Sequence, residues 1–434
     1  MRQIIFTFCA LIMLTISGVS AKNTMTLEQC IDTALQHNRN IKQQSLTSKS
    51  KEIAYEQARM NLLPDINASA GQSFMLGRSL IADNTYANVN SAQTSFGISS
   101  GITLFDGLKM KYDIDARKAE MMASEADLEK IKSDIELNVT VAFLQVLLYK
   151  ENMQTLADQL ELTHQKIEQK TALVNAGKQP EGELYELKAQ LAKEALNLTQ
   201  ADNNLKLALL DLAQIIELED FENLDVEIPQ NLLTTELSLL AADEVYHSAI
   251  KNRPEIKGAN YRLLTSEKNV AIAKSAYFPT LSFGAQVGTG YYNINGVTND
   301  SFNQQLNQNL STNLGFNLHI PIFNKFEVKN RVSSTKLAVE SSKLDIENAK
   351  YQLRKTVQQA YQNALAAQSR LAAARKSELA SKEAFRYAEQ KYEAGRASVY
   401  ELYQAKSNLT QVLSELTQSK YEYVLRIKIL ELLK

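Results

Sequence analysis

Four histidines (His37, His164, His247 and His319) and two cysteines (Cys9 and Cys30) are the side chains here suited to thiol and imidazole catalysis and, with the methionines, to soft-metal ligation. No two of these histidines and cysteines stand at metal-ligand spacing. Removal of residues 1–21, argued below, leaves a single cysteine and therefore no internal disulfide. The glycines from Gly284 to Gly290 fall in an alternating, strand-like run, not in a loop between strand and helix that could cradle a phosphate. Met110, Met121 and Met122 sit in a helical stretch, where methionine is a packing residue. The formal net charge of −2 argues against nucleic acid as a partner. No enzyme constellation emerges, and no cofactor or metal is expected. Any work such a chain does must come from architecture.

The architecture is written twice. Leu62-Leu63-Pro64-Asp65-Ile66 recurs as Tyr277-Phe278-Pro279-Thr280-Leu281, offset by 215. Ile102-Thr103-Leu104-Phe105-Asp106 recurs as Ile320-Pro321-Ile322-Phe323-Asn324, and Ala176-Gly177 with Leu184-Tyr185 recurs as Ala394-Gly395 with Leu402-Tyr403, both offset by 218. A near-constant offset across unlike segments marks two copies of one unit. Ahead of them, Arg2 precedes an apolar run from Ile4 to Ile16, and Val19-Ser20-Ala21 offers a small-residue cleavage site. Residues 1–21 therefore read as a signal peptide, with 22–230 as the first repeat and 231–434 as the second. No later stretch is apolar for long enough to form a membrane-spanning helix.

Proline and glycine divide each repeat. Neither occurs from Leu108 to Ala176 or from Lys325 to Ala394, whereas nine of the 15 glycines lie between Gly71 and Gly101 or Gly284 and Gly315. Because these residues break helices and are tolerated in turns and strands, each repeat should contain a helix, a hairpin, a long helix and a final helix. The long helices are expected at 108–176 and 325–394, the final ones at 183–218 and 398–434. Leu184, Leu187, Leu191, Glu194, Leu198, Ala201, Leu205, Ala208, Leu212 and Ile215 are spaced alternately three and four apart, the seam of a coiled coil. Leu402, Ala405, Leu409, Val412, Leu416, Tyr423 and Leu430 repeat the phase. At 1.5 Å per residue the long segments would reach roughly 100 Å.

The glycine-containing zones have period two. Phe96, Ile98, Ile102 and Leu104 alternate with small polar residues, as do Leu281, Phe283, Ala285, Val287 and Tyr291, and as do Leu310, Leu314, Phe316, Leu318, Ile320 and Ile322; Ile66, Ala68, Ala70 and Phe74 form a weaker set. Strands are expected at about 65–76, 94–105, 281–291 and 310–323, with Gly77–Gln93 and Tyr292–Asn309 as solvent-facing turns. Strands of about ten residues, apolar on one face, small-polar on the other and free of internal charge, are the pattern of a transmembrane barrel. Four strands cannot close a barrel, and open edges are not tolerated in lipid. Several chains must share one barrel. Two would give 8 strands around a filled interior, three would give 12 with room for water, and the small-polar face favours three. The alternative is a periplasmic or surface coiled-coil scaffold or adhesin with a soluble β-domain.

These residues resemble the TolC family of outer-membrane efflux and secretion channel proteins over essentially the whole mature chain. The resemblance is carried by Tyr392-Glu393-Ala394-Gly395, Ser398, Glu401-Leu402, Gln404-Ala405 and Leu409, by the strand exit Leu104-Phe105-Asp106-Gly107, and by Asn252-Arg253-Pro254-Glu255-Ile256. It implies a mainly α fold with transmembrane β: long antiparallel coiled-coil helices forming a periplasmic tunnel, and four strands per chain contributing to a 12-stranded barrel of a homotrimer. It further implies outer-membrane localisation with a large periplasmic portion. The partners implied are outer-membrane lipid, a periplasmic adaptor (membrane fusion) protein and an inner-membrane pump of RND or ABC type. By the same resemblance Glu401 and Gln404 stand where aspartates narrow the pore, so Gln404 brings no charge. Glu183, Tyr392 and Arg396 stand at or beside the positions of tip-closing links, with Glu183 expected to bond Tyr392 or Arg396. Gly177, Pro180, Gly182 and Leu184, with Gly395, Ser398 and Leu402, form the turns that would meet the adaptor.

Overall fold

The computed structural model describes residues 23–80, 84–219, 221–228, 239 and 241–434; the expected signal peptide lies outside them. The elements, in order, are β1 (Asn23–Met25), α1 (Leu27–His37), α2 (Arg39–Met60), β2 (Asp65–Met75), β3 (Arg78–Leu80), β4 (Tyr86–Asn88), β5 (Ser91–Phe105), α3 (Lys109–Asn175), α4 (Glu181–Ile215), β6 (Leu224–Val226), α5 (Ala242–Asn252), α6 (Pro254–Ser275), β7 (Thr280–Ile294), α7 (Phe302–Gln308), β8 (Ser311–His319), α8 (Glu327–Glu393) and α9 (Val399–Leu432). The repeat is structural: α1, α2 and β2 match α5, α6 and β7 at the first offset, and α3 matches α8 end to end at the second. Each single leading helix expected from sequence is in fact two. In the first repeat the break falls at Asn38, whose extended backbone turns the chain and whose side chain accepts from the Asn40 N–H at 2.9 Å. In the second it falls at Arg253, ahead of Pro254, as proline disfavours helical backbone in the residue before it.

The chain forms two compact units. Among the described residues, one takes in those from 23–43, 130–253 and 352–434. It holds the largest fully buried side chains: Phe143, Leu147, Val139 and Val146 of α3, Leu212 of α4, Leu224 and Val226 of β6, Val245 of α5 and Leu430 of α9. None of the ten seam positions expected in α4 is exposed, nor any of the seven in α9. A small parallel pair, β1 with β6, went unread in the sequence; Lys150 Nζ ties to it through Asp225 at 2.6 Å and the Val226 carbonyl at 3.0 Å. Three residues per strand carry too little pattern to read.

The other unit comprises residues 44–129 and 254–351. Its sheet has the order β2-β5-β7-β8, antiparallel throughout, leaving β2 and β8 as edges. Register places Ile66, Ala68, Ala70 and Phe74, then Phe96, Ile98 and Ile102, then Leu281, Phe283, Ala285 and Val287, then Leu314, Phe316 and Leu318 on one face. That face is uncovered: Ile66 is 77% exposed, Phe316 72% and Leu314 66%. Apart from Asp65 at its first position, none of the four strands contains Lys, Arg, Asp or Glu. A hollow of about 940 Å³ is lined in part by small polar residues of the opposite face, among them Ser99, Gly101, Ser282, Gly284 and Asn313.

Four details depart from the sequence reading. Leu104 is not on the apolar face but in a bulge, so that Phe105 stands opposite Leu281. The fourth strand ends at His319 instead of 323, since Pro321 has no N–H to continue a ladder. The segment Gly77–Gln93 is not a plain turn but contains the β3–β4 pair and the start of β5. Tyr292–Asn309 likewise holds the end of β7 and helix α7.

Candidate functional site

All of the tip and pore residues singled out in the sequence lie in the first unit, at the α3–α4 and α8–α9 turns. The turns share one geometry. Gly177 and Gly395 both have φ +68°, a left-handed conformation that ends a helix at little steric expense in glycine. The N–H of Lys178 returns to the Leu173 carbonyl at 3.0 Å and that of Arg396 to the Lys391 carbonyl at 2.8 Å, satisfying carbonyls the helix end would leave bare. The following helices start differently. Ser398 Oγ accepts from the Glu401 N–H at 3.3 Å, whereas Pro180, its counterpart in the first repeat, offers no side-chain cap. Leu184 and Leu402 are buried and seat the turns from beneath, so the outward surface is left to Gly177, Pro180, Gly182, Gly395 and Ser398. Tyr185 and Tyr400 join it, both exposed; the sequence analysis did not single them out, since exposure cannot be read from a lone aromatic in a helix.

The two repeat-equivalent glutamates have different surroundings. Tyr392 Oη donates to Glu183 Oε2 at 3.2 Å, and the largely buried Lys170 reaches both, at 2.5 Å from Glu183 Oε2 and 2.6 Å from Tyr392 Oη. Lys166 bonds Glu389 at 3.0 Å nearby. The cation of this cluster is thus Lys170, which the sequence reading did not single out, while Arg396 stands exposed with no side-chain hydrogen bond or ion pair among the described residues. Burial opposes charge on Lys170, but hydrogen bonds and charge from Glu183 and Tyr392 outweigh it, raising its pKa above the ordinary 10.5. A raised lysine stabilises fully below its unfolded value and loses that contribution only as pH climbs through the folded one. The Lys170 side of the link therefore holds across neutral and mildly alkaline pH. Glu401 and Gln404, by contrast, are exposed, and the Glu401 carboxylate has no partner among the described residues.

A second polar cluster lies deeper, among α3, α4 and α9. Lys406, Glu194 and Thr163 are all buried. Lys406 Nζ lies 2.5 Å from Thr163 Oγ1 and 3.1 Å from Glu194 Oε1, Thr163 Oγ1 lies 2.6 Å from Glu194 Oε2, and Gln190 Nε2 donates to Glu194 Oε1 at 2.9 Å. Desolvation lowers the Lys406 pKa against the pull of Glu194. Burial, and after it the neighbouring Tyr392 and Glu194, raise the pKa of the Tyr403 phenol well above its ordinary value. Glu194 is the one charged member of the expected α4 seam. In α9 the buried line passes through Lys406, with Ala405 half-buried, a shift of one residue that a lysine among apolar neighbours would suggest only if it had a buried carboxylate to meet.

Among the described residues no helix is long and apolar enough to cross a membrane, which leaves open a crossing by strands. Residues 30–216 and 245–431 each match the family described as "Outer membrane efflux protein". Among curated proteins, the "Toxin and drug export protein A" of Aggregatibacter actinomycetemcomitans is 22% identical over 280 residues, covering 63% of this chain and 58% of the relative. The "Cation efflux system protein CusC" of Escherichia coli O157:H7 is 21% identical over 306 residues, covering 68% and 60%. The chain thus spans about three-fifths of the length of these relatives. A solved CusC structure, from work on folding and transmembrane channel formation, superposes with a TM-score of 0.78 at 17% identity, covering 94% of this chain and 91% of CusC. The fold is that of this channel, and with both repeats matched the chain belongs to the outer membrane efflux protein family.

Proposed function

We propose that this protein is the outer-membrane duct of a tripartite efflux or type I secretion system: a homotrimer whose twelve strands close one barrel in the outer membrane and whose helices line a periplasmic tunnel. The observation that carries this is the sheet with one uncovered apolar face, no internal charge and two free edges. An exposed apolar face of that extent is a liability in water and a necessity in lipid. It counts equally against a soluble β-domain on a scaffold or adhesin. Two helical stripes support self-assembly. Leu46, Ile53 and Met60 of α2, and Leu337, Leu344 and Tyr351 of α8, are exposed at seven-residue spacing, as seams awaiting partner helices would be.

The duct supplies no energy; a periplasmic adaptor and an inner-membrane pump of RND or ABC type do. The adaptor meets the exposed tip turns around Gly177, Pro180, Gly182, Gly395 and Ser398. One relative is named for toxin and drug export and another for cation efflux, so cargo is set by the pump. The unpartnered Glu401 of three copies forms an anionic ring at the periplasmic entrance, favouring cations. Glu401→Gln is expected to shift the reversal potential in planar bilayers under a salt gradient toward non-selectivity; an unchanged potential would remove Glu401 from the pore.

The Lys170–Glu183–Tyr392 cluster holds that entrance narrow. Lys170 is buried but Glu183 and Tyr392 are only half-buried, so solvent reaches one side of the link, as an iris opened by an adaptor requires. Replacing Lys170 and Glu183 together by alanine is expected to raise single-channel conductance several-fold in the absence of adaptor, while Arg396→Ala leaves it unchanged. Equal conductance for all three proteins would refute the latch.

A further inference from the structure

The outer end of the β-sheet has a step. β7 pairs with β5 as far as Ile294 opposite Ser91, but β8 begins only at Ser311 opposite Gly288. Past that point β7 keeps β5 on one side, but among the described residues no strand lies on its β8 side. Three side-chain amides take the missing strand's place. Asn309 Nδ2 donates to the Gly290 carbonyl at 2.7 Å. Gln305 Oε1 accepts from the Tyr292 N–H at 2.8 Å while its Nε2 donates to the Tyr292 carbonyl at 2.9 Å. Asn299 does the same for Ile294, at 3.0 Å in both directions. Residues 290, 292 and 294 are alternate positions, the ones whose backbone groups point to the same side of an antiparallel strand. The rungs therefore continue, with amides in place of a peptide chain.

Helix α7 carries Gln305 and lies against the apolar face. Phe302 packs edge-on to Tyr291 with ring centroids 5.3 Å apart, and Thr289 Oγ1 donates to the Leu306 carbonyl at 2.6 Å. In any ring made of these sheets, the free edge of β8 adjoins β2 of the next copy, because β2 and β8 are the only edges of the four-stranded sheet. Where β8 is missing, β7 and that β2 are two strand spacings apart, about 9.6 Å. This is close to the diameter of a helix with its side chains, about 10 Å. β2 has 11 residues and β8 has nine, so with inner ends aligned the end of β2 runs past Ser311 onto the step. That end is apolar and exposed in Phe74, Met75 and Leu76, and Phe302 is exposed too. Phe74 shares the apolar face with Tyr291.

We infer that α7 and its loop form an intersubunit wedge: they stand in for the absent end of β8 and receive the Phe74–Leu76 end of the neighbouring copy's β2, closing the barrel seam at its outer rim. The inference rests on the shared-barrel reading above. It predicts that Phe302 of one copy lies beside Phe74 of the next.

The test is cysteine cross-linking of the full chain in outer membranes, with Cys30→Ala as background. The pair Phe74→Cys with Phe302→Cys probes the wedge, and Ile66→Cys with Leu318→Cys probes the inner ends of β2 and β8. Treatment with a short bis-maleimide is expected to shift the first pair from monomer to linked dimer and trimer bands on reducing denaturing gels, with either single-cysteine chain staying monomeric. If the inner pair links while Phe74→Cys with Phe302→Cys does not, the wedge is overturned and the shared barrel stands. If neither pair links and the detergent-extracted chain has the mass of a monomer, both fall.

Discussion

Phe316→Lys is expected to remove the protein from the outer membrane as an assembled species. Phe316 stands opposite Phe283 in the β7–β8 ladder, the two rings 5.0 Å apart, and is 72% exposed. A lysine near the middle of a lipid-facing barrel strand costs about 2–4 kcal/mol, and in a trimer that burden falls three times on one barrel. Fractionation should show the variant lost from heat-modifiable oligomers in the outer membrane. Asn313→Lys is the matched control. Asn313 lies on the same strand but lines the small-polar hollow, where a cation stays hydrated, so this variant should assemble normally and conduct with weaker cation preference. Normal assembly of both would mean that the apolar face does not meet lipid.

The second large effect is expected at the buried Lys406–Glu194–Thr163 cluster. Removing one member of a buried ion pair strands the other charge, which typically costs 3–5 kcal/mol. Lys406→Met should therefore lower the thermal stability of the protein sharply, and Glu194→Leu should do the same. The double variant replaces both charges with apolar groups and is expected to recover most of the loss, since an apolar pair of like volume is often as stable as the ion pair it replaces. Thermal melts of the three variants in detergent provide the comparison. Additive losses in the double variant would show that the two side chains act independently, against the geometry that joins them. The cluster ties α9 to α3 and α4 a short way along from Glu401 and Gln404, so its loss should also broaden the distribution of single-channel conductances.

The sequence was most legible where one physical rule acted over many residues. The exclusion of glycine and proline from Lys325 to Ala394 anticipated α8 to within two residues at its start and one at its end, because a long helix cannot accommodate either without penalty. Alternation identified four strands because each has one uncovered face to keep apolar. Short or mixed signals failed for equally physical reasons. The Asn- and Gln-rich run from Phe302 to Gln308 has no apolar stripe, so α7 read as a turn; of its amides only Gln305 reaches the edge of β7, a contact that no local spacing announces. Lys170 and Lys406 drew no reading from the sequence, since their carboxylate partners come from distant helices and no local spacing announces them. Glu183 and Tyr392 could be paired from family resemblance, whereas the cation completing the cluster could not.

The shared barrel is the claim on which the rest depends, and the mass of the membrane-extracted protein tests it most directly. Light scattering of the mature chain purified in detergent, corrected for bound detergent, should give three copies per particle, and no stable particle should form without detergent. A monodisperse monomer that stays soluble in plain buffer would contradict the duct, the anionic ring and the wedge together.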